Sequence, residues 1–112
     1  MQVTKKSIGK FVILGISGNL DMNNVKLVKE IFDKEVDSGV KYIAIDMSNL
    51  NYIDSSGIGS FIALMRRLKE VGGEVILLNL PQNIERIFQM TKLLAFFKVY
   101  KNEQDFLKIA GE

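Results

Sequence analysis

The chain has 112 residues, 47% of them hydrophobic and 25% charged, which suits one folded domain around one core. Its 15 Lys+Arg against 13 Asp+Glu leave a net charge of only +2, too little for a protein held to nucleic acid or an anionic membrane mainly by charge. Cysteine and histidine are both absent, which excludes disulfides, thiolate nucleophiles, Cys-rich zinc sites, imidazole acid–base catalysis and Ser-His-Asp chemistry. These exclusions point to a protein that acts by contact rather than by catalysis, with no cofactor.

The N-terminal stretch MQVTKKSIGKFVILGISG carries two lysines ahead of a short apolar run. That run is too short for a signal peptide, contains Gly15 and has no small-residue cleavage site after it. No segment approaches the ~18 apolar residues of a membrane span. A cytoplasmic protein with no membrane contact is expected.

In chain order, Gln2 to Ile8 reads as an edge strand, with Lys5 and Lys6 exposed, and Gly9-Lys10 turns it into a hairpin. Phe11 to Ile16 (FVILGI) is β-branched and aromatic, the pattern of a buried strand. Asp21 caps a predicted helix reaching about Ser38, with Val25, Val28, Phe32 and Val36 on its apolar stripe, Leu27 and Ile31 beside it, and Gly39 as its stop. Tyr42 to Met47 is the next buried strand.

Leu50 to Ile53 leads into Asp54-Ser55-Ser56-Gly57-Ile58-Gly59, where a second helix begins. Ile58, Phe61, Ile62, Met65 and Leu68 form its apolar stripe, and Gly72-Gly73 ends it. Val75 to Leu78 is a third buried strand. Pro81 suits the first turn of a helix whose apolar face is Ile84, Ile87 and Phe88. Phe97 to Tyr100 is a short strand, and Asn102 caps a last helix with Phe106, Leu107 and Ile109 turned inward. Lys92 to Phe97 is very apolar and reads as core under the last strand, with a partly exposed contact patch as the alternative. Met47, Met65 and Met90 read as core fillers.

Strands alternating with helices predict an α/β fold. The expected sheet is mixed and mainly parallel, of four to five strands, with an antiparallel N-terminal edge and about four helices. In such sheets function gathers on loops at the carboxyl ends of strands. Ser17 to Met22 and Leu50 to Gly59 are the two loops there with unusual chemistry.

The simplest role for Asp54 and its serines is capping, because their oxygens accept the orphan N–H groups of a first helical turn. The sharper role is phosphorylation. A helix N-terminus favours an anion, and the small neighbours Ser56, Gly57 and Gly59 leave room for a visiting active site. Competing motifs fail. Gly57-Ile58-Gly59 starts a dinucleotide fingerprint, but Ile62 stands where the third glycine belongs, and no P-loop occurs. Asp46 and Asp54 could serve as an acid pair, but a receiver domain would want an acidic cluster where Ser17 to Asp21 supplies a single acid, and no carboxylate spacing suits a metal site. Arg66-Arg67 reads as a solvated helix face rather than a phosphate contact.

Taken together, Gly18-Asn19-Leu20-Asp21, Ile45-Asp46-Met47-Ser48-Asn49-Leu50, Tyr52 through Gly59 and Gly72-Gly73 resemble the bacterial anti-sigma factor antagonists, the small single-domain members of the STAS family. The resemblance covers nearly the whole chain. It implies that Ser55 is the phosphorylated serine and that Asp54 is the acidic residue beside it. Ser56 then matches the second Ser/Thr, and Asp21 matches the aspartate that helps to dock the partner. Asn19 stands where the family usually has an acid.

By the same resemblance, the unmodified protein binds an anti-sigma factor serine kinase and frees a sigma factor. Phosphorylation at Ser55 releases the partner, and a serine phosphatase resets the protein. The contact surface so implied comprises Asp21, Asp54, Ser56, Gly57, Ile58, Gly59 and the exposed part of the helix they open. STAS domains also serve in other signalling assemblies and beside transport proteins, so a module unlinked to a sigma factor is the alternative. A nucleotide-binding enzyme on a doubly wound sheet lacks its phosphate loop here.

Overall fold

The computed structural model describes residues 1–110. Strand β1 (Gln2–Ile8) hairpins antiparallel onto β2 (Phe11–Leu20), with Ile8 opposite Phe11 and Gln2 opposite Ser17. Helix α1 (Val25–Asp37), β3 (Tyr42–Asp46), β4 (Leu50–Ile53), α2 (Ser55–Glu70), β5 (Glu74–Leu78), α3 (Gln82–Met90), a 3-10 turn (Leu93–Phe96), β6 (Lys98–Tyr100) and α4 (Glu103–Ala110) follow. The sheet order is β1-β2-β3-β5-β6, parallel after the first pair, and β4 pairs parallel with β2.

The expected mixed, mainly parallel α/β fold with four helices is present. The sheet has six strands, one more than the sequence reading allowed. The extra strand is Leu50–Ile53, and it exists because β2 runs on to Leu20 instead of stopping at Ile16. The first half of β2 pairs with β3 and its last residues, Gly18–Leu20, pair with β4. Gly18, at φ +104, accommodates the irregularity where the pairing changes.

Alternation along β2 divides the core. Val12, Leu14 and Ile16 face a large cluster with Val28 and Phe32 of α1, Phe61, Leu64 and Leu68 of α2, and Ile84 and Phe88 of α3. Phe11 and Ile13 face a smaller cluster closed by Phe106 and Ala110 of α4. Three helices therefore cover one face and one short helix covers part of the other. The central strands β3 and β5 are buried on both sides, so they read as unbroken apolar runs.

Lys5 and Lys6 have a role that the edge-strand reading did not include. Adjacent strand residues point to opposite faces, so Lys5 reaches Glu35 of α1 (2.7 Å) and Lys6 reaches Glu103 of α4 (2.7 Å). The two ion pairs clamp the edge strand between both helix layers. Arg67 of α2 likewise forks between Asp33 and Asp37 of α1, at 2.7 Å to each.

Several side chains depart from the expected pattern. Helix α1 starts at Val25, four residues after Asp21, because Asp21 to Asn24 closes a turn of its own first. Pro81 sits just before α3 as its N-cap. Leu107, Ile109, Met90 and Leu27 are exposed. The eight-residue α4 buries only the one stripe carrying Phe106 and Ala110. Of the Lys92–Phe97 stretch, Phe97 enters the core, Leu93 and Leu94 pack at its margin, and Phe96 stands in solvent.

Candidate functional site

The parallel pairing of β2 with β4 sets Leu20 opposite Ile53. Two chain segments therefore leave the sheet side by side: the loop from Asp21 to Asn24 and the start of α2 at Asp54. Asp54 itself is extended (φ −107°, ψ −175°), and its amide donates to Leu20 O at 3.1 Å.

The Asp54 carboxylate organises both segments. Oδ1 accepts from the amides of Ser56 (2.9 Å) and Gly57 (3.1 Å) and from the Ser56 hydroxyl (2.5 Å). Oδ2 accepts from the amide of Met22 at 3.2 Å, which ties the first loop to the second helix. The Ser56 hydroxyl is the strongest influence on this carboxyl and lowers its pKa. Partial desolvation opposes that, and the amides of Gly57, Met22 and Ser56 lower it further. Asp54 is thus a charged N-cap.

The Asp21 loop is braced internally. Asp21 Oδ1 accepts from Asn23 N at 2.9 Å, Asn24 Oδ1 accepts from Asp21 N at 3.0 Å, and the Asn24 amide donates to Asn19 O. Sequence reasoning passed over Asn24 and Met22. The Asp21-x-x-Asn24 spacing was the available signal for Asn24, since both residue types form such local turns. Met22, 76% exposed beside the site, is visible only once the loop is folded.

The two serines are not equivalent. Ser56 is half-buried and its hydroxyl is committed to Asp54. Ser55 is exposed at the first position of α2, and among the described residues its hydroxyl has no hydrogen-bond partner. The glycines differ as well. Gly57 is buried, and a Cβ there would lie 2.7 Å from Ile53 Cγ1 and 2.8 Å from Leu20 Cγ. Gly59 faces open space. Ile58 is half-buried beside it. Asp21, Asp54, Ser55, Ser56, Gly57, Ile58 and Gly59 therefore form one continuous region. Asp54 caps the helix, as the simplest reading of the sequence expects, and so already occupies the Ser56 and Gly57 amides.

No group of three or more carboxylates among the described residues converges to hold a metal ion. Asp46 is spent on Ser48 N (3.0 Å) and Asn79 Nδ2 (3.1 Å), apart from Asp54.

The STAS domain family model matches residues 2–106. This chain belongs to the STAS domain family. Its curated relatives include the anti-sigma-B factor antagonist of Staphylococcus aureus, 29% identical over 84 residues that cover 75% of this chain and 78% of that one. A crystal structure of a Thermotoga maritima protein assigned as an anti-sigma factor antagonist superposes with a TM-score of 0.91, at 23% identity over 98% of this chain and 95% of that one. Unphosphorylated SpoIIAA, an anti-sigma factor antagonist from Bacillus, shares the STAS fold with a TM-score of 0.78, at 23% identity over 99% of this chain and all of that one. SpoIIAA has also been solved in a phosphorylated form. No helix of the described STAS residues is long and apolar enough to cross a membrane.

Proposed function

We propose that this STAS protein is an anti-sigma factor antagonist that docks on an anti-sigma factor serine kinase through the Asp21 loop and the first turns of α2. Phosphorylation at Ser55 switches that docking off, and a serine phosphatase restores it. The protein acts in the cytoplasm and by contact alone, with no cofactor and without binding nucleic acid or membrane. The observation that carries the reading is the contrast between the serines: the Ser55 hydroxyl is exposed and uncommitted, while that of Ser56 is held by Asp54. The names of the relatives support the same class.

The occupied helix end supports a switch. A phosphate on Ser55 adds about −1.5 to −2 charge. The nearest capping amides already serve Asp54, so the added charge stays on the surface and faces the docked protein. Burying an unpaired charge in an interface costs several kcal/mol, and each ~1.4 kcal/mol is tenfold in affinity. A loss of ~100-fold follows with no rearrangement of the fold.

The test is incubation with the cognate kinase and ATP, followed by mass-spectrometric site mapping. Modification should fall on Ser55. Ser55→Ala should keep binding and resist modification, and Ser55→Asp should bind ~100-fold more weakly. Phosphate elsewhere, or nowhere, refutes the proposal.

A further inference from the structure

The outer face of α2 stays small or apolar well beyond the serine. Ser55, Gly59 and Ala63 are exposed, and Ile58 and Ile62 are half-buried. Ile62 also lines a groove of about 140 Å³ with Met65, Leu93, Phe96 and Arg66. Met65 and Phe96 continue into a second groove of about 360 Å³ that reaches Val75 and Lys98. Phe96 is the ridge between them and is 64% exposed, whereas its neighbour Phe97 is 7% exposed. The turn that presents Phe96 opens at Lys92, a non-glycine residue at φ 60°. A large aromatic held out in solvent at the rim of an apolar groove is the composition of a contact anchor.

Charge singles out the occupant. Arg66, Lys69 and Lys92 are exposed at this groove or next to its lining residues. Among the described residues none of the three forms an ion pair, as is also true of other exposed cations such as Lys26, Lys41 and Arg86; these three are distinguished by their place around one apolar groove. The first groove has no acidic lining residue, and Glu74 in the lining of the second is already paired with Lys98. An apolar groove edged by such cations complements a segment that combines apolar anchors with acidic residues.

Size ties the groove to the switch. Ser55 to Arg66 spans roughly 16 Å of helix at 1.5 Å per residue. A standard interface covers ~800 Å² per partner, a patch about 30 Å across. A partner seated on Ser55 with such a footprint therefore reaches Phe96 when it runs along α2 over Ile58 and Ile62.

We infer that the Ile62–Met65–Leu93–Phe96 groove is a second anchoring site for the kinase that docks on Ser55, and that it seats an acidic, apolar-anchored segment of that kinase. This rests on the proposed function and adds to it. The groove supplies affinity that phosphorylation does not address, so it sets how tightly the unmodified protein binds.

The test uses the full chain and the kinase recovered and purified on Ser55→Ala. Phe96→Ala and Arg66→Glu should each weaken binding tenfold or more, with thermal unfolding unchanged, because both side chains are exposed. Lys108→Glu, on α4 across the sheet, should have no effect. If Phe96→Ala and Arg66→Glu bind within twofold of wild type while Ser55→Asp has lost binding, the groove inference is overturned and the switch stands. If no kinase binds Ser55→Ala, both are overturned.

Discussion

The same chemical change, glycine to alanine, should have opposite effects at two positions two residues apart in α2. In a helix interior alanine is favoured over glycine by about 0.8–1 kcal/mol. At Gly59 nothing lies within 4 Å of the added methyl. Gly59→Ala should therefore stabilise the fold by about 1 kcal/mol and raise Tm by roughly 4 °C for a domain of this size. At Gly57 the methyl would sit 2.7 Å from Ile53 Cγ1 and 2.8 Å from Leu20 Cγ, against an optimum of ~3.5–4.0 Å. Both neighbours are buried at the ends of paired strands, and neither contact is with a free side-chain tip. Overpacking of this kind costs ~1–3 kcal/mol. With the upper part of that range set against the helix gain, Gly57→Ala should lose about 1–2 kcal/mol net. Urea unfolding of the two variants and wild type measures both. Kinase binding should separate them further: Gly59→Ala places a methyl on the proposed docking face and should weaken binding about tenfold in a more stable protein. A Gly57→Ala variant as stable as wild type, or a destabilised Gly59→Ala, would refute the packing argument.

Three further outcomes are expected. Lys5→Met leaves Glu35, 8% exposed in its side chain, without its cation. Equilibrium unfolding should show a loss of about 1–3 kcal/mol, below that of a fully buried pair because Lys5 is half in solvent, and Lys5→Met/Glu35→Leu should recover most of it. The lowered pKa of Asp54 means that its contribution is present above the ordinary carboxylate value and is lost as pH falls through the folded one. The stability gap between wild type and Asp54→Asn should thus be constant above about pH 5 and close below about pH 4, as read from denaturation midpoints across pH. Arg67→Lys cannot fork between Asp33 and Asp37, so it should lower Tm in dilute buffer, with a deficit that shrinks near 1 M salt, where the Debye length is ~3 Å.

The elements legible in the sequence were those whose local pattern and tertiary fate agree. β3 and β5 are apolar throughout because they are covered on both faces. Of the stripe expected on α2, Phe61 and Leu68 are buried, whereas Ile58, Ile62 and Met65 are half-buried and Leu64, outside the expected stripe, is buried in their place. Asn102 was readable as the cap of α4, and its Oδ1 does accept from Asp105 N at 2.8 Å. β4 was not legible. Four residues, with Asn51 and Tyr52 both exposed between Leu50 and Ile53, show neither the alternation nor the unbroken apolar run of a strand, and only the run of β2 through the turn-like Ser17-Gly18-Asn19 gives them a partner. The exposure of Phe96, Met90, Leu107 and Ile109 likewise depends on how short helices dock, and an apolar residue type does not report that.

The candidate site divides the same way. Chain order alone determined that an aspartate and two serines open a helix, because capping is a matter of residues one to three apart. The register of β2 against β4 decided the rest. It brings Met22 N to Asp54 across 32 residues of chain and so sets the Asp21 loop beside the helix that carries the serines. Local sequence cannot specify that contact, because it is a hydrogen bond between segments that only the closed sheet makes neighbours.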